Sequence, residues 1–187
     1  MPAAAPPPAP AGIARLLELW HKVECWVAVL SFSFIAAVLV IDVLGREFYG
    51  PLMTFFGFKV GATGLFGSQK LAVFALIIGS FAGIGIATAT GVHLVPRVGF
   101  GWVPKAWGPA VDRLADLFTG LFLMVVCWYG LQFVLTNKAS GVLAAVINVS
   151  AWPIQAAIPL GFASAALRYF FFAAWPSLRP AAPEFQE

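Results

Sequence analysis

Four stretches without Asp, Glu, Lys or Arg, at residues 25–41, 71–92, 117–137 and 139–167, constrain this chain more than any other feature. Each is long enough, or nearly so, to cross a bilayer as a helix of roughly 20 residues. Hydrocarbon satisfies no backbone donor or acceptor, so a spanning segment must be a helix or a strand of a closed barrel. Strands of a barrel alternate apolar and polar side chains, and these stretches do not. The expected fold class is therefore an all-α membrane protein with four transmembrane helices.

Composition agrees: 61% of residues are hydrophobic, 10% are charged and the mean hydropathy is +0.90, whereas charged residues make up about 25% of a soluble domain. The domain reading is a disordered Pro/Ala-rich tail at 1–11, a four-helix membrane domain at 12–175 and a C-terminal tail at 176–187. The net charge of +3 comes from Lys and Arg scattered singly, without the basic run or groove-binding motif of a nucleic-acid partner. Cys25 and Cys127 form no CxxC pair, which argues against thiol–disulfide chemistry and a cysteine metal cluster.

The tail lacks the cationic start of a secretory signal. Over residues 12–24, Ile13, Leu16, Leu17, Trp20 and Val23 recur at helical spacing, with Arg15, Glu18, Lys22 and Glu24 between them. That pattern predicts an amphipathic helix lying at the membrane interface and leading into the first span. At the far end of that span, Asp42 and Arg46 stand four residues apart in the favourable acid-to-base order, a local structural pair. Residues 48–68 are apolar, but Pro51, Gly57, Gly61, Gly64 and Gly67 exclude a regular span. The segment is read as skimming the interface, with a docking surface for another protein as the alternative.

The second span carries a small-residue stripe, Ala75, Gly79, Gly83, Ala87 and Gly91, and the fourth span offers Ala157, Gly161 and Ala165. Such faces permit close backbone crossings, leaving Phe74, Leu76, Ile77, Ile78 and Phe81 for lipid or a partner. The next loop is basic and aromatic, with His93, Arg97, Lys105, Trp102 and Trp107. Seven of the eleven Lys and Arg fall on the side of the termini and this loop, so the positive-inside rule places both termini in the cytoplasm. Asp112 and Asp116 suit the positive end of the third helix. Pro153 fits a first helical turn, Pro159 should loosen the fourth span, and Trp152 and Trp175 mark its interface levels.

No Ser-His-Asp set, HExxH motif or paired mid-membrane carboxylates occur, so an enzyme is not expected. His21 and His93 fall on one side of the membrane, which keeps a bis-histidine haem, or a plain anchor for a redox complex, as the alternative reading. Otherwise no cofactor and no metal is expected. An autonomous carrier would need internal repeats and buried polar groups for substrate and ion, yet Gln132, Asn148 and Gln155 are the few amides and serve equally well as glue between helices.

Three motifs share one pattern. The N-terminal amphipathic helix has a late acid and enters a span ending Asp42-Val43-Leu44-Gly45-Arg46. The second span ends Gly91-Val92-His93. The fourth has Trp152-Pro153 and then Ile158-Pro159-Leu160-Gly161. In these features, spread over about residues 16–172, the chain resembles the small membrane (DctQ-like) subunit of tripartite ATP-independent periplasmic (TRAP) transporters. It departs at Ser68-Gln69-Lys70 and Pro96-Arg97, where the family tends to carry acids.

The resemblance implies a scaffold in the bacterial inner membrane that pairs with a large multi-span transport subunit. A sodium gradient would drive transport, and a periplasmic substrate-binding protein would deliver an organic acid. It assigns Arg46, His93 and Trp152 to subunit contacts, and the small-residue faces add Gly79, Gly83 and Gly161. Membrane lipids are the remaining expected partner.

Overall fold

The structure, a computed structural model, describes residues 9–59, 61–92, 104, 107–144 and 147–180. Its long elements are α1 (Ala11–Leu44), α3 (Ser68–Thr90), α4 (Gly108–Ala139) and α6 (Ala157–Ala174). Short helices α2 (Gly50–Phe55) and α5 (Trp152–Gln155) extend the first and precede the last. By length and composition four helical segments can cross a membrane: Ala11–Phe55, Ser68–Thr90, Gly108–Ala139 and Trp152–Ala174. His93, Trp102, the loop cations Arg97 and Lys105, and the outermost tail positions lie outside the described residues.

The helices run alternately up and down. α1 packs along α3, α3 along α6, and α6 along α4, so α1 and α4 form the outer edges of an open row. Edge helices bury little against their own chain: Trp26 is 66% exposed, Phe118 71% and Tyr129 70%. Large apolar side chains pointing outward are the rule for a protein whose solvent is hydrocarbon.

Four local outcomes differ from the sequence expectations. First, residues 12–24 do not form a separate helix, because α1 continues unbroken from Ala11 through the span. Second, the connection after the first span begins as helix. A π-helical stretch, Gly45–Tyr49, leads into α2, and residues 61–67 then fold back on it. The absence of side chains at Gly45, Gly50 and Gly64 allows this close approach: a Cβ on Gly45 or Gly50 would meet Thr63, and one on Gly64 would meet Asp42 and Arg46.

Third, the fourth span begins at Trp152, as Pro153 in a first helical turn predicts, but part of the apolar stretch ahead of it is strand: β1 (Leu143–Ala144) pairs with β2 (Val149–Ser150) in a small antiparallel hairpin. Gly141 at φ 63° and Asn148 at φ 51° turn the chain there, in a conformation a helix cannot contain. The span is also interrupted between Gln155 and Ala157. Pro159 has no N–H for the Gln155 carbonyl four residues earlier, which removes the hydrogen bond that would join α5 to α6.

Fourth, the small-residue faces of α3 and α6 do not meet as a matched pair. Ala72, Ala75 and Gly79 are buried, and a Cβ on Gly79 would sit 3.0 Å from Ser31 and 3.4 Å from Phe32 of α1. Gly161 instead abuts Phe81, where a Cβ would lie 2.6 Å from the Phe81 carbonyl oxygen. Phe81, expected to face lipid or a partner, is half-buried against α6 and meets the Phe162 ring edge-on. A parallel α3–α6 crossing needs one backbone to approach the other, and glycine opposite phenylalanine provides it as well as glycine opposite glycine.

Candidate functional site

Among the described residues, the charged side chains gather toward the two ends of the helix row. At the end formed by the starts of α1 and α4 and the ends of α3 and α6, Glu24 and Arg168 make a buried ion pair. Arg168 Nη2 donates to Glu24 Oε2 at 2.5 Å, with the two side chains 3% and 10% exposed. Trp20 Nε1 donates to Glu24 Oε1 at 2.9 Å, and the Ser164 hydroxyl donates to the same oxygen. Arg168 Nη1 donates to the Gly85 carbonyl of α3 at 3.1 Å. A side chain at Gly85 would collide with the Glu24 carboxylate, so glycine is what lets the acid reach the arginine past α3.

This cluster ties α1, α3 and α6 together through groups that hydrocarbon would not solvate. Burial is costly for either charge alone, and the forked guanidinium and shared acceptors offset it only while both partners are present.

A second cluster at the same end links the C-terminal stretch to α4. Arg179 Nη1 donates to Asp112 at 3.0 Å, and its Nη2 to Asp116. Burial works against the Arg179 charge, but the hydrogen bond and charge of Asp116, followed by those of Asp112, outweigh it and raise its pKa above the ordinary guanidinium value. Arg179 therefore stays charged throughout the folded range. Asp112 and Asp116, expected only as charges suited to the helix start, are the anchors of residues beyond α6.

At the opposite end, Asp42 is 5% exposed. It pairs with Arg46 at 2.5 Å, as its spacing predicts, and also accepts the backbone N–H of Leu65 at 2.9 Å. One carboxylate thus fastens the 61–67 segment to the end of α1. Nearby, Asn137 Nδ2 donates to Gln155 at 2.9 Å between α4 and α5, and the Lys138 ammonium stands 4.6 Å from the centre of the Trp152 ring. Both are contacts between helix ends.

The spacing of these clusters matters. Glu24 and Asp42 are eighteen residues apart on one continuous helix, or about 27 Å at 1.5 Å per residue. That is close to the hydrocarbon thickness of ~30 Å. Between these two residues α1 carries no Asp, Glu, Lys, Arg or His, and neither do residues 71–90 of α3, 117–137 of α4 or 157–167 of α6. Charged contacts therefore bracket the membrane span, and its middle is packed with apolar and small side chains.

The six sequence-nominated residues separate accordingly. Gly79 and Gly161 are used in packing the chain's own helices, while nothing lies within 4 Å of a Cβ at Gly83. The Arg46 side chain is 52% exposed beside Asp42. Trp152 lies beneath Lys138, and His93 is outside the described residues. The His21 ring lies 3.6 Å from Cys25 Sγ. No group of three or more metal-ligating side chains occurs among the described residues.

The Glu24–Arg168 pair went unrecognised in the sequence because both residues border apolar runs and stand 144 positions apart. The usable signal was an acid and a base at the same end of their spans, each next to an otherwise apolar segment.

Fold and site together define a multi-pass helical membrane protein with an apolar interior and, among the described residues, charge contacts at its two ends. Comparison with known proteins specifies the class. The model of the family described as tripartite ATP-independent periplasmic transporters, DctQ component, matches residues 35–175, and the chain belongs to that family. It is a transporter component. The ectoine TRAP transporter small permease protein TeaB of Halomonas elongata is 24% identical over 164 residues, covering 88% of this chain and 79% of that protein. No solved structure matches it.

Proposed function

We propose that the chain is the small scaffold subunit of a sodium-driven, binding-protein-dependent secondary transporter for organic acids. It supports a large multi-span subunit and forms no part of the substrate path. The observation that carries this reading is the apolar middle of the bundle: α1 between Glu24 and Asp42, ~27 Å along the helix, and residues 71–90, 117–137 and 157–167 of the other long helices carry no Asp, Glu, Lys, Arg or His to hold a substrate or ion. Transporter cores use such groups near mid-membrane.

In this reading the protein lies in the bacterial inner membrane with both termini in the cytoplasm, following its Lys and Arg distribution. The first turns of α1, with Arg15, Glu18 and Lys22, stand at the cytoplasmic interface. Arg46 and Gly83, open on the surface, meet the large subunit directly. Trp152 lies at interface level, Gly79 and Gly161 support the contact surface from within, and His93 is assigned to a subunit contact by the family resemblance alone. A periplasmic binding protein completes the system. Family membership favours this over the haem-binding or redox-anchor alternative.

The test is co-purification. A tagged chain co-expressed with a large TRAP permease subunit from the same organism should yield a complex that survives detergent extraction and size exclusion. Separate elution of the two proteins under conditions where both are folded would reject the scaffold role.

A further inference from the structure

Between the first turns of α1, the end of α3 and the last turns of α6 lies a cleft of about 230 Å³. Leu17, Ala89 and Phe172 give it apolar walls, Glu18 and His21 stand on its α1 side, and Arg168 lines it from α6. Arg168 is 3% exposed. Its two terminal nitrogens are engaged by Gly85 and Glu24, but its Nε–H has no acceptor among the described residues. A buried donor of this kind ordinarily finds a partner, and a guanidinium edge prefers an oxyanion.

Local charge favours an anion. Glu24 is neutralised by Arg168 and Glu18 by Lys22. Arg15 remains as a cation on the same helix turns. The Glu24–Arg168 level is also the hydrocarbon boundary, about 27 Å from Asp42 along α1, with the headgroup zone of a bilayer immediately outside it. The cleft is smaller than the ~300–1,000 Å³ that take a drug-sized ligand, so it suits a headgroup whose chains continue along the exposed apolar helix faces.

We propose that this cleft binds the phosphate of a membrane phospholipid, with Arg168 Nε–H as donor, so that one lipid is bound as part of the subunit's three-helix junction. The pairing of apolar walls with a single guanidinium edge selects a phosphodiester carrying acyl chains over a free anion.

Native mass spectrometry of the full-length, delipidated chain in detergent tests this with three probes: dioleoyl phosphatidylglycerol, dioleoylglycerol with the same chains and no phosphate, and inorganic phosphate. One phospholipid should bind at least ten-fold more tightly than dioleoylglycerol. Ala89→Phe and Leu17→Trp, which fill the cleft without touching the Glu24–Arg168 pair, should each weaken that binding at least ten-fold while keeping the wild-type unfolding midpoint. Equal affinity for the two lipids, or undiminished binding in both folded variants, would overturn the site. Inorganic phosphate binding as tightly as the phospholipid would overturn a lipid as its source.

Discussion

Replacing Arg168 with Met is the perturbation that most sharply tests how the helix row is held together. The substitution keeps side-chain bulk but removes the counter-charge of Glu24, whose side chain is 10% exposed, and the donor to the Gly85 carbonyl. Breaking one partner of a buried pair costs about 3–5 kcal/mol, because an uncompensated charge remains. The double variant Glu24→Gln/Arg168→Met removes both charges and leaves an amide oxygen that still accepts from Trp20 and Ser164. It should therefore cost less than the two single changes added together, with a coupling of about 2–3 kcal/mol. Unfolding in mixed micelles titrated with sodium dodecyl sulfate, followed by tryptophan emission, measures all four proteins. An Arg168→Met cost below about 1 kcal/mol, the level of an exposed pair, or strictly additive single effects, would refute the view that this pair ties α1, α3 and α6.

Gly161→Leu should separate α3 from α6, since its Cβ already meets the Phe81 carbonyl at 2.6 Å; a lowered unfolding midpoint of the isolated chain checks this. Gly83→Leu, with nothing within 4 Å, should leave the isolated chain unchanged and weaken only its complex with a large subunit, as read by co-purification. Asp42→Ala should free the Leu65 N–H and speed hydrogen exchange across residues 61–67. Asp42→Asn should slow that loss by retaining an acceptor, while forfeiting no more than ~1 kcal/mol from the half-exposed Arg46 pair.

The four helical segments were legible because the hydrocarbon requirement acts on every residue of a span: a run such as 71–92 admits no other structure. The Asp42–Arg46 pair was legible for the same reason of locality, its partners being one helical turn apart. What escaped were features created by contacts between distant segments. The burial of Glu24 depends on glycine at position 85 and arginine at position 168, and the role of Asp42 toward Leu65 depends on a fold-back at Thr63 and Gly64. The small-residue stripe showed that α3 permits close approach, but helix periodicity alone does not say which neighbour approaches. Gly79 therefore serves α1, Gly161 receives Phe81, and Gly83 is left open. The start of the fourth span was legible from Pro153, which suits a first helical turn, whereas the hairpin before it was not, because an apolar hairpin and an apolar helix have the same composition.

The central claim is that this chain supports a transport path located in another subunit. Proteoliposomes containing the purified chain alone, the large subunit alone, or both, supplied with a sodium gradient, a loaded binding protein and its radiolabelled substrate, test it most directly. Background uptake is expected with this chain alone, and sodium-dependent uptake when the two subunits are present together. Sodium-driven accumulation by this chain without the large subunit would contradict it.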